Sequence, residues 1–330
     1  MRKIIKTLLG IGGAFCLIGA LLFSIGFTSG GTKYVHDTNL NSMNAQEDNK
    51  ESANRFTLKK TEIPDFTSLN INLEDSDLNI EESPNEKSYI EYAQATKDKK
   101  NPVSYSIENG TLTLKEAGNT GASYYINVDI SFLQAALSSK NIEDYTKESS
   151  KYENYVTLYL PKDKLVSSAK IYLGYGDFYV KNATFDTTNI KLDDGDFDAN
   201  TLTANSGKLT FSYGDCDLQK ASLGNISLTS KDGDLTVNEL TLSGKTKIAL
   251  SYGDAEITLN DSTKKVSGFD LATHYGTITA SGLNGNKTLD EDDDVNTFQS
   301  DSKDGKTKLS IDSKDCLLYT SPSPRDPKTS

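Results

Sequence analysis

The dipeptide Gly-Asp returns at a nearly constant step through the second half of the chain, at Gly176-Asp177, Gly195-Asp196, Gly214-Asp215, Gly233-Asp234 and Gly253-Asp254, with intervals of 19, 19, 19 and 20 residues. A degenerate copy, Gly276-Thr277, follows after a further 23. Apolar and polar residues alternate around each copy, as in Ile171, Leu173, Phe178 and Val180, or Leu209, Phe211, Cys216 and Leu218. Alternation is the period of a strand, and helical spacing is almost absent from residue 56 onward. A flat sheet has no need of glycine at one fixed phase, whereas a chain that turns the same corner in every repeat does. The pattern predicts an all-β fold, a β-solenoid whose coils of about 19–20 residues bury their apolar stripes only by stacking on one another.

Coils holding one Gly-Asp or two both fit this spacing. The residues ahead of the glycines are Tyr175, Asp194, Tyr213, Asp232, Tyr252 and Tyr275, and the Tyr/Asp alternation in the first four hints at a period of two repeats. Gly176, Gly195, Gly214, Gly233 and Gly253 are read as structural corners.

The N-terminus has a different character. Residues 1–6 carry Arg2, Lys3 and Lys6, and residues 7–27 are uncharged and long enough to cross a bilayer as one helix. The basic flank belongs on the cytoplasmic side, which places the C-terminal domain outside. A cleaved signal peptide is the competing reading. An uncleaved signal-anchor fits better, because the apolar run exceeds the usual signal core and Thr28-Ser29-Gly30 makes a poor cleavage site. Residues 28–55 are polar and read as a flexible stalk that includes a solvated His36. Residues 56–165 form an N-terminal β part with a turn at Asn109-Gly110 and a short helix or loop over 131–139, and residues 166–315 form the Gly-Asp solenoid.

The end of the chain breaks the pattern. Leu309 to Asp315 aligns with Ile226 to Asp232, so a Gly is due at position 316, yet Cys316 stands there. The stretch CLLYTSPSPRD that follows resembles the translation of a transposase-type adaptor used in short-read DNA libraries. Residues 316–330 are accordingly read as adaptor-derived and set apart from the fold.

A basic start, an anchor ending in G-F-x-x-G-G, the strands S-L-N-I-N-L and D-L-N-I, then N-G-T-L-T-L, V-T-L-Y-L-P-K and the Gly-Asp coils together resemble the Gram-positive, membrane-anchored "putative adhesin" β-solenoid family, a domain of unknown function. That resemblance implies a cell-envelope protein, adhesin-like or tied to sensing of envelope stress or antimicrobial peptides. It implies no catalytic residues.

Composition narrows the partners. Forty-seven acids against 35 bases give a formal charge of -12, and Lys and Arg form no cluster, which argues against nucleic acid. The three cysteines, Cys16, Cys216 and Cys316, lie too far apart in character to make a disulfide framework. No nucleophile elbow, phosphate loop, H-E-x-x-H or C-x-x-C occurs, so an enzyme is not expected.

Three constellations stand out. Asp177, Asp196, Asp215, Asp234 and Asp254 form a carboxylate row that fits either a calcium ladder or, better, turns in which each carboxylate accepts backbone N–H groups. Tyr175, Tyr213, Tyr252 and Tyr275 form an aromatic row that either shields the coil edge or contacts an envelope glycan, peptide or membrane protein. Asp290-Glu291-Asp292-Asp293-Asp294 reads as a solvated acidic loop, and His274 as structural. Three functions follow: an adhesin-like binding or scaffold protein, a sensor of envelope stress or cationic peptides, and, remotely, a carbohydrate-active solenoid enzyme using Asp193, Asp194 and Asp196. No cofactor is expected beyond calcium on the Asp row.

Overall fold

A computed structural model describes residues 54–96, 100–117, 154–290 and 294–322. The anchor over 7–27, most of the stalk and the segment 131–139 lie outside the described residues. Among the described residues no helix is long and apolar enough to cross a membrane.

The chain is all-β. Its first strands are β1 (Asn54–Ile63), β2 (Ser68–Leu73), β3 (Asp77–Glu82), β4 (Ser88–Thr96), β5 (Val103–Glu108), β6 (Thr111–Glu116) and β7 (Tyr155–Leu160). Two series of strands then alternate, the first longer than the second as far as β14: β8 (Leu165–Leu173), β9 (Phe178–Val180), β10 (Ala183–Leu192), β11 (Phe197–Ala199), β12 (Leu202–Tyr213), β13 (Cys216–Leu218), β14 (Ala221–Asp232), β15 (Leu235–Leu242), β16 (Lys245–Leu250) and β17 (Ala255–Leu259). One helical turn, α1 (Asp261–Val266), precedes β18 (Gly268–His274), β19 (Thr277–Ala280), β20 (Asn286–Asp290), β21 (Val295–Ser300), β22 (Lys308–Lys314) and β23 (Leu317–Pro322).

The long strands stack in parallel on one side of a solenoid, β8 on β10 on β12 on β14 on β16. The short strands β9, β11, β13, β15 and β17 do the same on another. Phe197 pairs with Cys216 and Leu192 with Phe211, one 19-residue repeat apart, so each coil holds a single Gly-Asp. Within β10 two successive outward residues, Asp186 and Thr187, interrupt the alternation.

Register converts the sequence repeat into core columns. On the short-strand side Leu78, Phe178, Phe197, Cys216, Leu235, Ala255, Leu318 and Ile278 follow one another, all buried. On the long-strand side Ile71, Ile171, Ile190, Leu209, Leu228, Ile248, Ile311 and Leu271 form a second column. A single coil leaves its apolar residues open above and below, and burial at about 1.5–3 kcal/mol per large side chain is gained only as neighbours cover it. The rings of Phe178 and Phe197 stack at 5.0 Å, and Phe197 meets Phe211 across the core at 5.6 Å.

Two features depart from the sequence reading. The expected boundary near residue 165 separates no two kinds of structure, because β2 and β3 form a coil of the same stack, pairing in parallel with β8 and β9. The N-terminal end is closed by β6 on β2, β7 on β3 and the antiparallel strands β1, β4 and β5. Asn109 (φ +50°) and Gly110 (φ +72°) make the expected tight turn between β5 and β6. At the other end the order in space is not the order in sequence. β22 and β23 lie between the coil of β16 and β17 and that of β18 and β19, while α1 carries the chain past the seat they later fill. The segment after Asp315, set apart in the sequence reading, runs as a strand over 317–322, with Leu318 inward and Cys316 at the corner position.

The corner explains the glycines. A Cβ on Gly214 would press on the carbonyl oxygen of Gly195, one on Gly195 on that of Gly176, and one on Gly253 on that of Gly233. Four of these glycines also take positive φ, from +109° at Gly253 to +135° at Gly195, where side chains are disfavoured. Gly214→Ala is therefore expected to lower the unfolding free energy by about 3 kcal/mol or more in urea titrations, through backbone strain and coil separation together. Gly305→Ala, at φ +66° with open space around it, should cost only about 1 kcal/mol.

Candidate functional site

The corner that stacks the glycines also aligns what flanks them. Two residues after each corner Gly comes the first strand residue of the short side, and between them stands the Asp of Gly-Asp. The N–H of Asp177 donates to Oδ1 of Asp77 (2.9 Å), that of Asp196 to Asp177 (2.9 Å), Asp215 to Asp196 (2.8 Å), Asp234 to Asp215 (2.8 Å) and Asp254 to Asp234 (2.8 Å). Leu317 N–H closes the row on Asp254 (2.9 Å). These carboxylates do accept backbone N–H groups, as the turn reading requires, but the donor belongs to the next coil and not to the same corner. Hydrogen bonds to charged acceptors are stronger than neutral ones, so each bond pins a corner to its neighbour. It occupies one carboxylate oxygen per rung.

The calcium reading needs carboxylates converging on a cation. Each Oδ1 is instead turned to an N–H, and among the described residues no group of three or more His, Cys, Asp or Glu is placed to hold a metal ion. Asp77 was missed in the sequence, because it lies 100 residues before its partner and follows Ser76 where the other rungs follow Gly.

Glu116 closes the N-terminal end of this corner. Its carboxylate is buried, Oε2 accepts from Glu74 N–H (2.9 Å) and Asp75 N–H (3.0 Å), and Oε1 accepts from the Gln94 side chain. Gln94 in turn accepts from Ser76 Oγ (2.6 Å). Burial raises the Glu116 pKa above its ordinary value, against the pull of the two backbone bonds.

The residues just before the glycines form the exposed rim. Backbone bonds place Tyr175 beside Asp75, Asp194 beside Tyr175 and Tyr252 beside Asp232. Tyr213 pairs with Asp232. At the far end Asp315 lies against Tyr275 and, two residues beyond the Leu250–Ser313 pair, against Tyr252. Read in spatial order, the rim is Asp75, Tyr175, Asp194, Tyr213, Asp232, Tyr252, Asp315, Tyr275. The alternation that the sequence loses after Tyr252 is restored by the late coil. Tyr175, Tyr213, Tyr252 and Tyr275 are 59–70 % exposed, the largest exposures among the described large hydrophobic residues. They do not shield the coil edge; at about 4.8 Å per coil they stand about 9.6 Å apart with a carboxylate between each pair.

The surroundings are mostly acidic. Beyond the Asp row, Asp198 and Asp217 pair on the short-strand side, and Asp198 titrates above its ordinary value through burial and then through Asp217, Asp196, Asp177 and Asp215. On the long-strand side Lys231, Lys314 and His274 flank the later coils. His274 lies 3.9 Å from Asp312. Of the acids considered for catalysis, Asp193 is bound by Lys191 (2.6 Å) and by the Tyr172 hydroxyl (2.9 Å). Burial raises its pKa, but those partners outweigh it and hold the carboxyl below its usual range. Tyr172 is pushed up to about 12 by the same bond. Asp194 belongs to the rim and Asp196 to the ladder, while Asp193 is held by Lys191 and Tyr172. Asp290 ends β20 and Asp294 turns into β21 at φ +52°, while 291–293 lie outside the described residues. Cys216 is a core residue whose thiol burial pushes well up.

Residues 66–316 match the family described as Toastrack DUF4097. The chain belongs to the Toastrack family. Solved structures similar to this Toastrack chain include a "putative adhesin" from Bacteroides fragilis, at 11 % identity over 82 % of this chain and 99 % of that one, TM-score 0.40. Others are a "putative cell adhesion protein" from Clostridium sporogenes, at 13 % identity over 82 % and 100 % of the two chains, TM-score 0.34, and a "putative adhesin" from Parabacteroides merdae, at 13 % identity over 81 % and 97 %, TM-score 0.34. No curated protein matches the sequence.

Two outcomes test the corner chemistry. Asp215→Ala should lose about 1 kcal/mol of stability, while Asp215→Asn, which keeps an acceptor for Asp234 N–H, should stay close to wild type in the same urea titration. For Glu116 the folded pKa lies above the unfolded one, so the folded chain holds the proton longer. The associated stability is full below the ordinary value of 4.5 and is lost as pH rises through the folded pKa. Melting temperatures recorded from pH 4 to 8 should therefore fall less steeply in Glu116→Gln than in wild type.

Proposed function

We propose that this Toastrack protein is an adhesin-like binding scaffold of the bacterial cell envelope. An N-terminal signal-anchor holds it in the membrane with its N-terminus in the cytoplasm, and the solenoid projects outside to meet an envelope glycan, peptide or membrane protein. The observation that carries this reading is the rim itself: four tyrosines, each more than half exposed, in one line on a rigid edge. Exposed aromatic side chains in a row give a protein contact area at little conformational cost, and core packing does not require them. A solenoid offers such a row along its length, which suits an extended ligand better than a compact one. The role is one of binding and not of catalysis.

The acidic rows favour a second reading, a sensor of cationic peptides. Each ladder carboxylate spends one oxygen on its neighbouring coil, and a line of negative charge attracts positively charged ligands from a distance. Salt separates the two: attraction to the acidic rows fades as ionic strength rises, while stacking on tyrosine persists.

The test is sedimentation of the purified full chain with isolated envelope fractions. Wild type should co-sediment in 0.5 M salt, and Tyr175→Ala/Tyr213→Ala/Tyr252→Ala should lose about tenfold in apparent affinity while keeping its circular dichroism and melting temperature. Equal sedimentation of the two proteins would remove the rim from the function. Binding by both that vanishes with salt would favour the sensor.

A further inference from the structure

The rim repeats every two coils, and a ligand that uses all of it must share that repeat. The two-coil alternation of Tyr and Asp holds over the whole stack only because Asp315 enters between Tyr252 and Tyr275. Extended peptides show the same face every two residues, about 6.6 Å, which is out of step with two coils. A polyproline II helix repeats every three residues, about 9.3 Å, and matches the spacing, but its prolines lack the N–H donors that carboxylates between the tyrosines would accept from. A β-1,4-linked glycan supplies both the spacing and the donors. Its linkage turns each sugar over relative to the last, so that every second ring shows the same face, and one ring joined through its opposite ends is close to one coil step long.

Resting on the reading of the rim as a binding edge, we propose that it binds a β-1,4-linked glycan free of acidic groups, laid along the stack with one sugar per coil. Every second sugar lies with its C–H face on one of Tyr175, Tyr213, Tyr252 and Tyr275, which stacks apolar hydrogens against a π-surface. The sugars between sit over Asp194, Asp232 and Asp315, whose carboxylates accept hydrogen bonds from ring hydroxyls or amino groups. Among the described residues none of these three carboxylates forms an ion pair, so they are available to a ligand. The adjoining row of Asp177, Asp196, Asp215, Asp234 and Asp254 repels polymers that carry carboxylate or phosphate. Charge thus selects neutral or amino-bearing chains, and spacing selects the linkage.

The chain has 17 Tyr and no Trp, so tyrosine emission reports stacking without a competing fluorophore. We would titrate the full chain with cellohexaose and chitohexaose, with their di- and tetrasaccharides, and with β-1,3-linked laminarihexaose, α-1,4-linked maltohexaose and oligogalacturonate. One of the two β-1,4 hexamers is expected to perturb the emission, with affinity rising about tenfold from two sugars to six as further coils engage. The other linkages and the acidic oligomer should bind about tenfold more weakly. Tyr213→Phe should retain binding, and Tyr213→Ala/Tyr252→Ala should lose it without loss of melting temperature. Equal binding of all linkages, no binding of either β-1,4 hexamer, or tighter binding of a decaproline peptide than of the hexamers overturns the proposal. Should the hexamers fail while envelope fractions still sediment in a tyrosine-dependent way, the glycan assignment falls and the adhesin-like reading stands. If the tyrosine variants sediment like wild type, both fall.

Discussion

Every coil of this protein must approach the next at strand distance around a corner, and the corner leaves no room for a Cβ. The carbonyl oxygen of Gly195 occupies the space where a side chain at Gly214 would go, and the same contact recurs up the stack. Close approach in turn lets the N–H of each Asp reach the carboxylate one coil below. A steric requirement and a charged hydrogen bond therefore act at the same place, and together they hold the register that keeps Phe197 over Phe178 and Leu235 over Cys216. Shift one coil by a residue and its apolar side chains would turn outward.

That register also makes the surface regular. Tyr175, Asp194, Tyr213, Asp232 and Tyr252, one position before the corner glycines, are all exposed at the rim and lie outside the core columns. The alternating tyrosines and aspartates occupy these positions. Asp194 and Asp232 sit where Tyr175, Tyr213 and Tyr252 sit in neighbouring coils, which shows that the corner accepts either residue and that packing does not dictate the choice.

Much of this could be read from the chain before any coordinates. Strict spacing of Gly176 to Gly253 set the repeat at 19 or 20 residues but left coils of one Gly-Asp or two both open, and the pairing of Phe197 with Cys216 decides for one. The parts that escaped involve partners far apart in sequence. Asp77 meets Asp177 across 100 residues, and with Ser76 in place of Gly it lacks the dipeptide that marked the other rungs. Ser76 is tolerated because it lies at the end of the corner column, where Glu116 and Gln94 take the place of a further coil. Glu116 itself gives no signal in sequence: a single Glu at the end of an alternating strand looks like any solvated acid, and only the fold buries it. The rim was half visible, as an alternation that seemed to fail at Tyr275. It does not fail; the missing Asp comes from Asp315, forty residues downstream.

The seating of β22 and β23 between two earlier coils has a bearing on how the chain is made. A nascent polypeptide emerging N-terminus first can zip coil upon coil as far as Leu259, each new strand finding its template already in place. There the orderly growth stops. β18 is synthesised next, carries the same apolar alternation as β22, and meets a vacant edge on β16 that belongs to a strand not yet translated. α1, capped by Asn260 Oδ1 accepting from Thr263 N–H at 2.8 Å, stands in the chain between β17 and β18. β22 pairs in parallel with both β16 and β18, so these two earlier strands are joined only through one that comes later in the chain.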